Sequence, residues 1–329
     1  MTPLTLLTGF LGAGKTTLLN RLLRDPALEG CAVLVNEFGE IGLDHLFVEA
    51  LEGDAVLLAS GCLCCTIRGD LSRALRDLAA RGRPFRRVVV ETTGLADPAP
   101  ILHTLMRDPL LLRDYALDGV VTVVDATAGM ASLDAHEEAR RQAAVADLLL
   151  ISKTDLADPA PLAARLAALN PVARIADARE VRAEALLGLG PFSAEGKAES
   201  IAAWIDGAGA AHHHHDHHHR HDPNRHDARI RALCLRFDAP LPWEGVAGYL
   251  EMMAMTQGAR LLRVKGVLDV RGEALPVVVH GVQHSFHPPR RLPAWPADAP
   301  RGSRLVFILQ DLEPAVVEQG LRAFLEAAA

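Results

Sequence analysis

Apolar residues in the first half of the chain gather into short, nearly unbroken runs. Leu4 to Thr8, Cys31 to Val35, Val56 to Ala59, Arg87 to Glu91, Gly119 to Asp125 and Leu148 to Ile151 are six such runs. A strand buried on both faces of a parallel sheet reads this way, whereas a half-exposed strand would alternate. Between the runs, apolar residues return at helical spacing, as in Leu18 to Leu23, in Ile67, Leu71, Ala74, Leu75 and Leu78, and in segments near 99–107, 135–146 and 159–169. Strands alternating with helices from residue 4 to about 187 predict a doubly wound α/β domain, with a mostly parallel sheet covered on both faces. Its ligand site is expected at the carboxyl ends of the strands.

The pattern then breaks. Residues 188–211 turn to Gly, Pro, Ala and Ser, and His212 to His226 is a low-complexity tract holding nine of the fifteen histidines. From Ile230 the runs are shorter: strands are expected at Ile230 to Phe237, Ala259 to Val270, Pro276 to His280 and Arg304 to Leu309, with helices near 242–255 and 313–327. That is the signature of a smaller α+β domain. The expected division is residues 1–190, a linker over 191–228, and 229–329.

Composition narrows the function. With 329 residues, 50% of them hydrophobic and 23% charged, the chain can build two ordinary globular cores. A net charge of −7 with no long basic run argues against nucleic acid or an anionic membrane as the general partner. No stretch of about eighteen apolar residues and no secretory start are present, so the expected compartment is the cytoplasm. Three of the five cysteines crowd into Cys62-Leu63-Cys64-Cys65, which points to metal or redox chemistry rather than a disulfide framework. Cys31 and Cys234 stand alone in apolar runs and are expected to be inert core residues.

The first apolar run leads into Gly9-Phe10-Leu11-Gly12-Ala13-Gly14-Lys15-Thr16-Thr17, a G-x-x-x-x-G-K-T sequence set between strand and helix. Glycines 9, 12 and 14 let backbone N–H groups turn inward on phosphates, Lys15 adds a positive charge, and the Thr16 hydroxyl suits magnesium. Glu91-Thr92-Thr93-Gly94 ends another run and resembles the motif in which an acid acts through water on magnesium while a glycine amide senses the terminal phosphate. Ser152-Lys153-Thr154-Asp155 ends a third. An aspartate there accepts from both the ring N–H and the exocyclic amine of guanine, and the lysine stem packs along the base. Serine replaces the usual Asn at the first position, and the same spacing also allows Asp155 to act as a helix cap.

Cys62, Cys64 and Cys65 place three soft ligands within four residues, enough for a tetrahedral site with zinc as the leading candidate and cobalt or nickel as alternatives. Two of the cysteines with Glu37 form a variant of that site. Glu37, in Asn36-Glu37-Phe38-Gly39, could instead assist magnesium or position water. The histidines, including His212, His213, His214 and His215, read either as an auxiliary metal site or as a solvated tract.

Taken together these motifs, with the histidine-rich linker and Leu261-Leu262-Arg263-Val264-Lys265-Gly266, His280-Gly281-Val282-Gln283 and Arg304-Leu305-Val306-Phe307-Ile308 beyond it, resemble the CobW family of P-loop GTPases, in its zinc-regulated metalloprotein activator branch. The resemblance implies slow GTP hydrolysis coupled to delivery of a transition metal. Gly9, Gly12, Ala13, Gly14, Lys15, Thr16 and Thr17 would hold phosphates and magnesium; Ser152, Lys153 and Asp155 would form the guanine loop. Lys15, Glu37, Glu91 and Gly94 would serve hydrolysis, with Cys62, Cys64 and Cys65 holding the cargo. It also implies a client metalloprotein, docked through the C-terminal domain, and is compatible with a homodimer. Cobalt delivery for cobalamin and nitrile hydratase maturation stand as alternatives inside the family. Metal buffering without coupled transfer and small-molecule phosphorylation stand outside it.

Overall fold

The computed structural model describes residues 1–35, 56–59, 67–80, 85–189, 229–295 and 301–329. They divide into two compact units, one of Met1–Arg165 with Ala173–Glu195 and one of Leu166–Val172 with Gly196–Ala329. Among the described residues no helix is long and apolar enough to cross a membrane.

In the first unit, β1 (Thr2–Gly9), β2 (Cys31–Val35), β3 (Val56–Ala59), β4 (Arg87–Glu91), β5 (Tyr115–Asp125), β6 (Leu148–Ser152) and β7 (Arg174–Asp177) form one sheet in the order β3-β2-β4-β1-β5-β6-β7. Every pairing in it is parallel. The intervening helices are α1 (Lys15–Leu22), α2 (Ile67–Ala80), α3 (Ala99–Arg107), α4 (Leu111–Asp114), α5 (Gly129–Ala135), α6 (Glu137–Ala144) and α7 (Ala160–Leu169). Leu7, Val33, Val89, Val121, Val123 and Leu150 pack on one face with Leu18, Leu19 and Leu22 of α1. The alternate residues Leu6, Val88, Val90 and Val120 are equally buried, which is why these strands read as continuous apolar runs. The strand order reverses at β1, between β4 and β5. A ligand crevice is expected at that switch point, off the carboxyl end of β1.

Several elements differ from the sequence expectation, the short α4 among them. The helix expected over 135–146 is α6, starting two residues later, and the unexpected α5 precedes it, because His136 between them is extended (φ −122°, ψ 123°) and its ring stacks on Phe10, with centroids 4.5 Å apart. β5 begins four residues early, at Tyr115. Asp118 interrupts its apolar pattern, but that carboxylate is buried against the Arg87 guanidinium, which also donates to Thr5 Oγ1 at 2.8 Å. β7 has no apolar run because it is an edge strand, paired with β6 alone and partly exposed.

The second unit is antiparallel. Strands β8 (Ile230–Phe237), β9 (Leu261–Leu268), β10 (Val277–Val282), β11 (Ser285–Phe286) and β13 (Ser303–Gln310) run in the order β11-β10-β9-β13-β8, and β12 (Arg290–Arg291) pairs with β10. One sheet face, including Val264, Leu268, Leu305, Phe307 and Leu309, packs with Val246, Tyr249 and Met253 of α8 (Trp243–Gln257) and with Val317 and Leu321 of α9 (Pro314–Ala327). β9 is shorter than expected because Gly258–Arg260 forms a tight 3-10 turn before it. This unit thus has a hydrophobic core of its own.

Candidate nucleotide site

Gly9 closes β1 at φ +145°, and a Cβ there would lie 2.3 Å from the carbonyl oxygen of Val123 on β5. Only glycine lets the chain leave the sheet this close to its neighbour. Gly14, at φ +88°, leads into α1, whose N-terminus has no capping side chain and no acidic residue in its first turn. Its N–H groups and the positive end of its dipole are therefore left to an anion, the environment a phosphate needs. Lys15 is buried, and its amine donates to the carbonyls of Gly9 at 2.9 Å and Phe10 at 3.4 Å. Thr17 points out from α1 into solvent.

The acidic strand end meets this loop through sheet register. Leu7 pairs with Glu91, so Thr16 Oγ1 donates to the buried Glu91 carboxylate at 2.6 Å. The next residue is tied down twice, since Thr92 N–H donates to Leu7 O and Thr92 Oγ1 bonds Thr8 Oγ1 at 2.8 Å. Gly94 then crosses directly over the phosphate loop, where a Cβ would lie 2.7 Å from the Cα and N of Leu11.

The base-side loop is attached to the same loop from the opposite flank. Ser152 Oγ donates to the carbonyl of Ala13 at 2.7 Å, so the serine at this position links the base loop to the phosphate loop. Lys153 adopts φ +56°, unusual for a non-glycine residue, and its amine is held by Asp125 Oδ2 at 2.5 Å. Asp125 also accepts from the Thr127 N–H and hydroxyl, both at 2.7 Å. Burial opposes its charge, but these bonds from Lys153 and Thr127 outweigh it and hold the carboxyl below the usual carboxylate range. Asp155 is half exposed, 3.7 Å from Arg179. The carboxylate that accepts from the first turn of α7 belongs to Asp158, at 3.0 Å from the Ala160 N–H.

The structure thus brings Gly9 to Thr16, Glu91, Gly94 and Ser152 together, while Lys153 turns to Asp125 and Asp155 to Arg179. Glu37, Cys62, Cys64, Cys65 and the histidines from His212 to His226 lie outside the described residues. Among the described residues no group of three or more His, Cys, Asp or Glu side chains is arranged to hold a metal. Two contributors were not legible as site residues. Asp125 had a signal, since it ends an apolar run as Glu91 does. Gln142 had none, because its partners lie almost fifty positions upstream.

A sequence profile described as CobW/HypB/UreG, nucleotide-binding domain, matches residues 3–177. This chain belongs to the CobW/HypB/UreG family. It is a GTPase, and a second profile, the CobW C-terminal domain, matches residues 230–325. Among proteins similar to it are a zinc chaperone CobW of Pseudomonas aeruginosa and a zinc chaperone YjiA of Escherichia coli. The first is 34% identical over 363 aligned positions, covering 98% of this chain and 91% of that protein. The second is 33% identical over 312 positions, covering 92% of each. The crystal structure of Zn(II)-bound YjiA GTPase superposes with a TM-score of 0.69 at 27% identity, over 98% of both chains. The family resemblance seen in the motifs is thereby established, and with it the P-loop fold of this CobW-family chain.

Proposed function

We propose that this CobW-family GTPase is a cytoplasmic zinc metallochaperone that uses GTP to control possession of a metal ion and passes that ion to a client metalloprotein. In this reading Cys62, Cys64 and Cys65 hold the cargo, or two of them with Glu37, and the histidine tract is an auxiliary site. The names of its relatives favour zinc over cobalt or nickel. The phosphates lie on residues Gly12 to Thr17 and Lys15, and guanine is read by Lys153 and Asp155. The Thr16 hydroxyl and the Glu91 carboxylate, 2.6 Å apart, form an oxygen donor set that fits magnesium held directly by the hydroxyl and through water by the acid. Magnesium would supply charge neutralisation at the β- and γ-phosphates. Gly94 offers its amide to the terminal phosphate, and residues 229–329 provide the client-docking domain.

The observation that carries the coupling is the register at one end of the sheet. Val35, the last residue of β2, pairs with Glu91 on one side and with Ala59, the last residue of β3, on the other. Neighbouring strands lie about 4.8 Å apart, so the chain enters both the Glu37 segment and the cysteine segment one or two strands from the magnesium acid. A γ-phosphate contacting these segments differently from GDP would shift the metal affinity.

The test is a zinc competition titration of wild type and Cys64→Ser, with a non-hydrolysable GTP analogue and with GDP. We expect zinc to bind at least about tenfold more tightly with the analogue, equivalent to about 1.4 kcal/mol of coupling. Cys64→Ser should lose both the tight binding and the nucleotide dependence. Equal affinities in the two nucleotide states would refute the coupling.

A further inference from the structure

Helix α6 sends two adjacent side chains into the loop after β4. Gln142 is 1% exposed, and its Nε2 donates to the carbonyls of Gly94 at 3.1 Å and Ala96 at 3.0 Å. Arg141 donates to Asp97 Oδ2 at 2.7 Å and pairs with Glu137 at 2.6 Å, while Asp97 Oδ1 accepts from the Ala99 N–H and so caps α3. The helix itself is anchored elsewhere. The carbonyl of Gln142 accepts from Thr122 Oγ1 of β5 at 2.8 Å, and His136, the residue before α6, stacks on Phe10 of the phosphate loop. One short helix therefore fixes the loop carrying Gly94 relative to the phosphate loop it crosses.

We propose that Gln142 is a positioning residue for GTP hydrolysis: its carboxamide holds the Gly94 and Ala96 carbonyls so that the Gly94 peptide is presented to the terminal phosphate, and binding of the triphosphate depends on it while binding of the diphosphate does not. The chemistry demands an amide. Two carbonyl oxygens need two N–H donors from one side chain, which a glutamate of the same shape lacks, and a carboxylate would face both oxygens with like charge. A methionine keeps the volume and supplies no donor. The side-chain amide spends its hydrogen bonds on the Gly94 loop, so the α- and β-phosphate contacts of the phosphate loop and the guanine contacts are expected to remain when it is changed.

This inference rests on the reading of Gly94 as the terminal-phosphate contact, and the experiment separates the two. Gln142→Glu, Gln142→Met and Gly94→Ala are compared with wild type for affinity toward GDP and a non-hydrolysable GTP analogue, for kcat and KM of GTP hydrolysis, and for Tm. The Met variant guards against a fold defect from the buried charge. With two hydrogen bonds at stake, both Gln142 variants should bind the analogue about tenfold more weakly and lose about tenfold in kcat, with GDP affinity held within about twofold. Equal losses for the analogue and GDP would make Gln142 merely structural and overturn the proposal, as would no change in either. Because a methyl group at Gly94 presses on the phosphate loop itself, this variant is read as the ratio of analogue to GDP affinity: if Gly94→Ala lowers that ratio and the Gln142 variants do not, the proposal alone fails. If Gly94→Ala leaves the ratio unchanged, the Gly94 reading fails and takes the proposal with it.

Discussion

At the scale of single residues, the base-side loop is held by side-chain contacts of Ser152 and Lys153. Ser152 reaches Ala13 with its hydroxyl, a single hydrogen bond between the base loop and the phosphate loop. Ser152→Ala should therefore weaken GTP and GDP alike, by roughly fivefold for one bond of about 1 kcal/mol, in an isothermal titration. Lys153 accepts a left-handed backbone costing about 1 kcal/mol, and its ion pair with Asp125 fixes the direction of the stem. The folded state depresses the Asp125 pKa, so this carboxylate contributes stability above its ordinary value of about 3.9, and that contribution is lost as pH falls through the folded value. The Tm deficit of Asp125→Asn should accordingly be full at pH 7 and shrink below about pH 4. Burial pushes the thiols of Cys31 and Cys234 up to about 11, with Arg87 partly offsetting it at Cys31. Native protein treated with iodoacetamide at pH 8 should show neither residue alkylated by mass spectrometry.

At the scale of elements, each functional segment sits where a strand ends and the chain turns. The strands were legible because burial on both faces makes them uniformly apolar, and β1, β2, β4 and β6 lie close to where their runs predict. Those that escaped or shifted did so for a physical reason. β7 is exposed at an edge, and β5 carries an aspartate whose burial is compensated by Arg87, 31 residues upstream, and by the Gly188 N–H, 70 residues downstream. Helix α6 was misjudged at its start because His136 breaks the helix in order to stack on Phe10, a contact 126 positions away that no local pattern announces. Gly9 shows how closely the elements meet. Gly9→Ala places a methyl group 2.3 Å from the Val123 carbonyl and should cost about 2–4 kcal/mol, seen as a lower denaturant midpoint, even without nucleotide.

At the scale of the whole molecule, two units with separate cores carry a GTPase site in one and an antiparallel sheet in the other. If the cysteines hold the transferred ion and the histidines serve only to collect it, replacing the nine histidines between 212 and 226 by serine should leave one tight, GTP-dependent zinc site per chain. Equilibrium dialysis against a chelator checks this, and loss of all zinc binding would favour a buffering role. The sequence by itself determined the α/β class, the glycine-and-lysine loop, the acidic strand ends and the family, because each of these is written in contiguous residues whose backbone needs or burial leave a local pattern. Only the tertiary structure decided that Thr16 meets Glu91, that Ser152 grips Ala13, that Asp158 rather than Asp155 caps α7, and that Gln142 holds the Gly94 loop. Except for the cap, those contacts join residues 48 to 139 positions apart, and strand register and helix packing, rather than local propensity, bring them together.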